Sequence, residues 1–408
     1  MARKVAAFLG VIVFIFFAFQ KTGYSRTPER PLLNWLLKMQ VPNEAVPSPA
    51  QGRGGLVLSY IVPLQIPNHA ELFDRAYVYD NALAAIALTL CGEFEKAEAI
   101  LSSLAGLMDE EGKLGLFYHT YSNGFEAAFR TGPNVWAGYA FVFYMRASRT
   151  EKFKGEARKI ADWILNMQDA VLGSVRGGPD VTWFSTEDNI AAFFFLRDAG
   201  MFLKERSYLQ AAGKIARSLL TNHWNRDYHC FQAGIQNRAR HLRAASWGAL
   251  FSLSLGQLQR AFACLRFIER NLRAEVTRRL GEEEISIFGY KPKAGEDVNF
   301  VWSEGSLGVA LAHKRIRNKR KFVQIIKNMI KMRGVEGGII YALPPVQRFP
   351  RWESTASVSW MLINSARHQW AFWRGMSRRQ DQSTATPGSN SRGRNEASKS
   401  RQKGERIR

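Results

Sequence analysis

The sequence predicts an all-α fold, a ring of six helix pairs, on three observations. Six similar segments, each with a polar residue at its first or second position and then a small, apolar run, recur along the chain: Asp80–Ala85, Pro133–Gly138, Asp188–Phe193, Ala245–Leu250, Glu304–Val309 and Glu353–Val358. Their first residues lie 53, 55, 57, 59 and 49 apart, a period that marks a repeat architecture. Runs apolar on all sides alternate with one-sided runs, as buried inner and surface outer helices do. The links from outer to inner runs are long and the return links short, so the long loops gather on one rim.

Taken in order, the chain opens on Met1-Ala2-Arg3-Lys4 and an apolar run from Val5 to Phe19. A basic start and an apolar stretch are the pattern of an export signal. The run is shorter than the roughly 20 residues of a full span, yet large Phe residues stand where a cleavage site needs small ones. An uncleaved signal-anchor over residues 1–24 is expected, with the body outside the cytoplasm; a cleaved signal peptide is the alternative. Residues 25–373 form the ring domain. Pro31 to Met39 supply an amphipathic helix that would close the ring as its twelfth. Ala82–Leu88 is an inner run and Phe94–Leu104 its outer partner. Phe153–Met167 and Tyr208–Leu220 are further outer helices, and Ile190–Leu196 is another inner run. Long links are expected at 109–132, 170–184, 224–243, 275–300 and 334–351; Gly92-Glu93 and Ser148–Thr150 are short ones. Such long loops carry function more often than they idle. Residues 374–408 are polar and basic, hold too few apolar side chains to order themselves, and are expected to be disordered.

The 408 residues carry a formal charge of +22, and ten Lys/Arg against three Asp/Glu in the tail leave the body strongly basic as well. That favours an anionic lipid or glycan as a partner of the tail. No zinc-ligand pairs or RNA-binding signature occur, so no specific nucleic acid is expected. Cys91, Cys230 and Cys264 are widely spaced and read as buried thiols. The seven histidines show no metal spacing, and there is no HExxH, nucleophile elbow or phosphate loop. Neither a metal nor a cofactor is expected.

The phrases Tyr79–Ala84, Thr131–Trp136, Ser185–Ile190 and Val301–Gly305, set on this repeat, resemble those of bacterial six-hairpin proteins linked to glucan and exopolysaccharide metabolism. The resemblance covers Leu32 to Phe372 and implies an (α/α)6 toroid, the fold of the six-hairpin glycosidase superfamily. It also implies glycoside hydrolysis of the inverting kind. The same toroid hosts epimerases, lyases and cyclases, so the site must decide.

Acids at inner-helix starts face the mouth of such a ring, beside the positive ends of the helix dipoles. Asp80 and Glu304 are the expected acid and base, with Glu187 and Asp188 next, since glycoside hydrolysis needs two carboxyls. The plain alternative for each is a helix cap. Glu126 and Asp297 lie in the preceding loops. Tyr79, Trp136, Asn134, Trp183, Trp302, Trp352, Glu353 and Arg130 are the expected substrate contacts, because sugar faces stack on aromatic rings and polar groups fix their hydroxyls. Tyr77, Arg75, Arg176, Arg348 and Arg351 stand near the same rim. The fourth segment, Arg243–Ala249, lacks an acid, which leaves open a glycan-binding or polysaccharide-assembly protein without turnover. An epimerase or lyase is the remaining alternative, with His119 and His241 as the loop histidines it would use.

Overall fold

In the computed structural model, which describes residues 29–42, 50, 52–295, 298–366 and 372–373, twelve helices make two concentric rings. The inner ring is α2 (Val78–Cys91), α4 (Thr131–Ser148), α6 (Thr186–Leu203), α8 (Leu242–Ser254), α10 (Ser303–Arg315) and α12 (Thr355–Ser365). Each packs on the next, and α12 packs back on α2. The outer ring is α1 (Glu29–Lys38), α3 (Phe94–Leu107), α5 (Lys154–Asn166), α7 (Arg206–Ser218), α9 (Leu258–Asn271) and α11 (Lys319–Ile330). The helix expected at Pro31 to Met39 is α1, and it packs on α12 as the closing twelfth member.

The inner helices are buried nearly all round, as their compositions demand: α4 is buried from Val135 to Met145. Small residues let them approach closely. A Cβ on Gly138 would lie 2.4 Å from the Phe195 ring on α6, so only glycine fits there. The short turns to the outer helices use left-handed caps, at Gly92 with φ 87° and at Arg149 and Lys204 with φ 59°.

A second repeat lies in the fourth residue of the inner helices. Asn81, Asn134 and Asn189 each accept a 2.8 Å hydrogen bond at Oδ1 from a loop N–H, of Val57, Leu114 and Val175 respectively. Each Nδ2 donates to that same loop residue's carbonyl and to the carbonyl four residues back in its own chain. Ser306 serves α10 in the same way, donating to the Trp302 carbonyl and accepting from the Tyr290 N–H. These side chains strap the long loops to the rim. Asn134, an expected substrate contact, is therefore fully buried and spent on its strap. Asn189→Ala should cost about 1–3 kcal/mol for each buried backbone group it orphans, read as a lower urea midpoint at unchanged m-value.

One long link departs from the expected loop. Residues 275–300 contain most of an antiparallel hairpin, Arg273–Leu280 with Glu283–Tyr290. Ala274, Val276 and Arg278 face inward and their neighbours outward, a period of two within a basic stretch. Gly281, at φ 62°, supplies the turn. The all-α description thus holds for the rings, with small strand pairs decorating the rim.

Among the described residues no helix is long and apolar enough to cross a membrane. The signal-anchor expected at 1–24, the tail at 374–408 and Asp297 lie outside the described residues.

Candidate active site

The second residue of each inner helix points the chemistry of its rung into the mouth of the ring. In order these are Tyr79, Gly132, Glu187, Arg243, Glu304 and Ala356. Four of the six are functional side chains, and they meet. Tyr79 donates from its hydroxyl to Glu304 Oε1 at 2.7 Å, and Arg243 donates to the same oxygen. The other arm of the Arg243 fork lies 3.5 Å from Glu187 Oε2, and the His241 Nδ1 lies 3.9 Å from Glu187 Oε1. One guanidinium therefore bridges carboxylates from two other rungs. It also lies 4.8 Å above the Trp302 ring and 5.2 Å above that of Tyr79.

A cation at a helix N-terminus is opposed by the dipole. Burial also works against it, but the Glu304 and Glu187 charges override both, and the Arg243 guanidinium is held well above its ordinary value. Burial and the Glu304 charge likewise push the Tyr79 phenol well up, so it keeps the proton it donates.

The third residues of α2 and α6 are Asp80 and Asp188. Burial raises Asp80 to about 7; the Glu304 charge adds to the shift, against the opposing Ser59 hydroxyl and Arg243. Burial also raises Asp188 to about 7, reinforced by adjacent Glu187 and opposed by Arg243 and Ser185. Asp188 is packed so tightly on α4 that a Cβ on Gly132 would stand 2.4 Å from its Oδ1. Burial would raise Glu187 too, but His241 and Arg243 overcome it and hold the carboxyl below its usual range. Of the four acids expected at the site, Glu304 and Glu187 thus contact one arginine, and Asp80 and Asp188, raised to about 7, lie within its electrostatic reach. Such divergence is what acid–base chemistry requires.

The floor of the mouth is aromatic. Trp136 is buried beneath Tyr79, 5.3 Å between ring centres, and packs on Trp247, Trp360 and Trp373. Expected as a substrate contact, it instead fills the ring axis, one turn deeper than the acids. Trp360 donates to the Tyr79 hydroxyl at 3.1 Å, fixing that ring. Trp302 is also buried and serves as the surface under Arg243. The half-buried rings at the lip are Tyr60, Tyr341 and Trp352, with Tyr60 5.6 Å from Tyr341 and 5.8 Å from Trp352.

Trp183 is exposed at the lip and lies over the Gly177 backbone. Arg130 pairs with Asp180 at 2.5 Å in the neighbouring loop. Glu126 is exposed on a rim strand, outside the cluster. Glu353, expected to touch substrate, is instead spent on the fold: its buried carboxylate accepts from the N–H groups of Glu336 and Gly338 and holds that turn. Glu353→Ala should lower stability by about 2–4 kcal/mol, orphaning two N–H groups, and a thermal melt reads it directly.

Arg243 is the residue that sequence reasoning passed over. The fourth rung was expected to lack a polar contact, but it holds the cation that organises the others. The available signal was register: Arg243 occupies the helix position that Glu187 and Glu304 occupy on their rungs. Tyr60, Tyr341 and Ser59 lacked any such signal. Among the described residues no group of three or more His, Cys, Asp or Glu could hold a metal ion.

No protein-family model matches the chain, and no curated protein does. Solved structures match its fold over most of their length. A glycosidase in complex with glucose aligns with TM-score 0.63 and 12% identity, covering 83% of this chain and 95% of that one. An α-amylase from Clostridium perfringens aligns at 0.59 and 9%, covering 83% and 96%. A family 76 glycoside hydrolase (mannosidase) from Bacteroides thetaiotaomicron aligns at 0.57 and 11%, covering 84% and 97%. At such identities the likeness is one of fold alone, a toroid of six inner and six outer helices.

Proposed function

We propose that this protein is an exported, membrane-anchored glycoside hydrolase acting on a glucan or exopolysaccharide. The observation that carries the reading is the pairing of two carboxyls in one mouth: Asp80, raised to about 7 by burial, within electrostatic reach of Glu304, which Arg243 and Tyr79 hold in place. Asp80 protonates the glycosidic oxygen as the bond to the anomeric carbon breaks and its electron pair passes to that oxygen. Glu304 takes a proton from the attacking water, the inverting course. Glu187 and Asp188 bind ring hydroxyls, and Tyr60, Tyr341 and Trp352 offer faces for the sugar.

A second reading, glycan binding without turnover, draws support from the near-complete burial of Glu304 and its engagement by Arg243. Incubation with a panel of neutral and acidic glycans separates the two. The hydrolase releases new reducing ends, and Glu304→Gln lowers that release by about 100-fold or more. Binding with no reducing ends from any glycan selects the second reading. Unsaturated products absorbing in the ultraviolet would identify a lyase and overturn both.

A further inference from the structure

Outside the mouth, a groove of about 690 Å³ runs between α9 and the loop that leads into α8. Arg260, Arg266 and Arg270 line it from α9, the last two four residues apart on one helix face. At 1.5 Å rise per residue they span about 15 Å, the reach of an oligomer rather than of a single anion. Arg240 lines the opposite wall beside Trp224 and Tyr228.

Among the described residues none of these four arginines forms an ion pair. Asp227 is the single acid lining the groove. Glu269, which α9 itself carries, turns instead to Tyr290 and Lys321. Burial and nearby Arg226 pull the Arg260 guanidinium down. A row of like charges faced by a single acid is a field that an anion relieves.

The aromatic rings argue against nucleic acid. Bases need open ring faces on which to stack, but Arg260 covers Trp224 at 4.9 Å and Tyr228 packs against Phe267 at 5.4 Å. What remains open is guanidinium, whose fork fits carboxylate and sulfate. The groove also adjoins the mouth: Arg240 precedes His241, and Arg243 follows two residues later.

We infer that this groove binds an anionic polysaccharide through Arg240, Arg266 and Arg270. The site is independent of hydrolysis, and its test reads binding alone. The full-length protein is titrated calorimetrically with polygalacturonate, dextran sulfate, neutral dextran and oligo(dT). Polygalacturonate or dextran sulfate should bind, whichever is tighter identifying the anion, and dextran should not. The variant R266E/R270E should weaken binding about tenfold or more. The charge-matched control K319E/R320E on α11 should stay within about twofold of wild type. Both groove arginines are exposed, so the reversal spares the core; R266Q/R270Q should show a smaller loss in the same direction. Equal loss in both charge-reversed proteins, no loss in the groove variant, no binding of either anionic glycan, or tightest groove-dependent binding by oligo(dT) would overturn the inference.

Discussion

Asp80→Asn is expected to lose glycan cleavage and, at alkaline pH, to gain stability. The first effect follows from the role of Asp80 as proton donor, a contribution of about 10²–10⁴ in rate. Wild-type activity should fall as pH rises through about 7, where the donor loses its proton. The second effect follows from linkage. The folded-state value, about 7, stands above the ordinary 3.8 of the unfolded chain. Between those limits the folded protein holds a proton that the unfolded chain releases, so stability falls as pH rises. Asp80 thus contributes a loss that begins near pH 4 and is complete above 7, on the order of 4 kcal/mol at 1.36 kcal/mol per unit. Asparagine cannot ionise and escapes that loss. Melts of the two proteins should nearly coincide at pH 4 and diverge at pH 8, the variant melting higher. Asp188 imposes the same slope independently, so the wild-type curve should flatten by about half in Asp80→Asn and further in the double variant with Asp188→Asn. Parallel pH–stability curves, or full cleavage by Asp80→Asn at pH 6, would remove Asp80 from the role.

That trade of stability for chemistry explains which parts of the site a linear reading reaches. What the six rungs share is local: apolar inner runs and one-sided outer runs, with the strap asparagines Asn81, Asn134 and Asn189 on three of them, all lie within one helix and its preceding loop. Hence the ring, its closing helix and the acids at its mouth were legible. What was not legible depends on rungs meeting. Trp136 and Trp302 both stand beside a rung start, but Trp302 precedes its helix and Trp136 lies a turn inside, where the ring axis must be filled. Glu353 is the same residue type as Glu304 but sits in the strand before its helix, its carboxylate packed against a tight turn at Gly334 and, with the Trp35 ring, against Gly338. Glu304 is 61 residues from the arginine that holds it. No window of sequence contains that contact.

Arg243→Met should be the most destabilising single change at the mouth. The Glu304 side chain is 2% exposed, and its carboxylate loses its only cation in the bridge described above. A buried charge stripped of its partner costs about 3–5 kcal/mol. Met preserves the packing over Trp302 and Tyr79, so the loss reports the charge rather than a cavity. Arg243→Lys should recover part of it at most, because an ammonium is a point charge and cannot fork between Glu304 and Glu187. Arg243 also draws down both Asp80 and Asp188, so without it the alkaline limb of any remaining activity should move above 7. The decisive measurement is a double-mutant cycle in urea. If the cost is an orphaned carboxylate, Glu304→Gln in the Arg243→Met background should restore most of the stability, leaving a coupling energy of about 2 kcal/mol or more. Additive losses would mean that Glu304 and Arg243 act separately, and the bridge would then organise nothing. Restored stability would place the arginine where the geometry does: holding at the mouth a buried carboxylate that the fold could not otherwise keep.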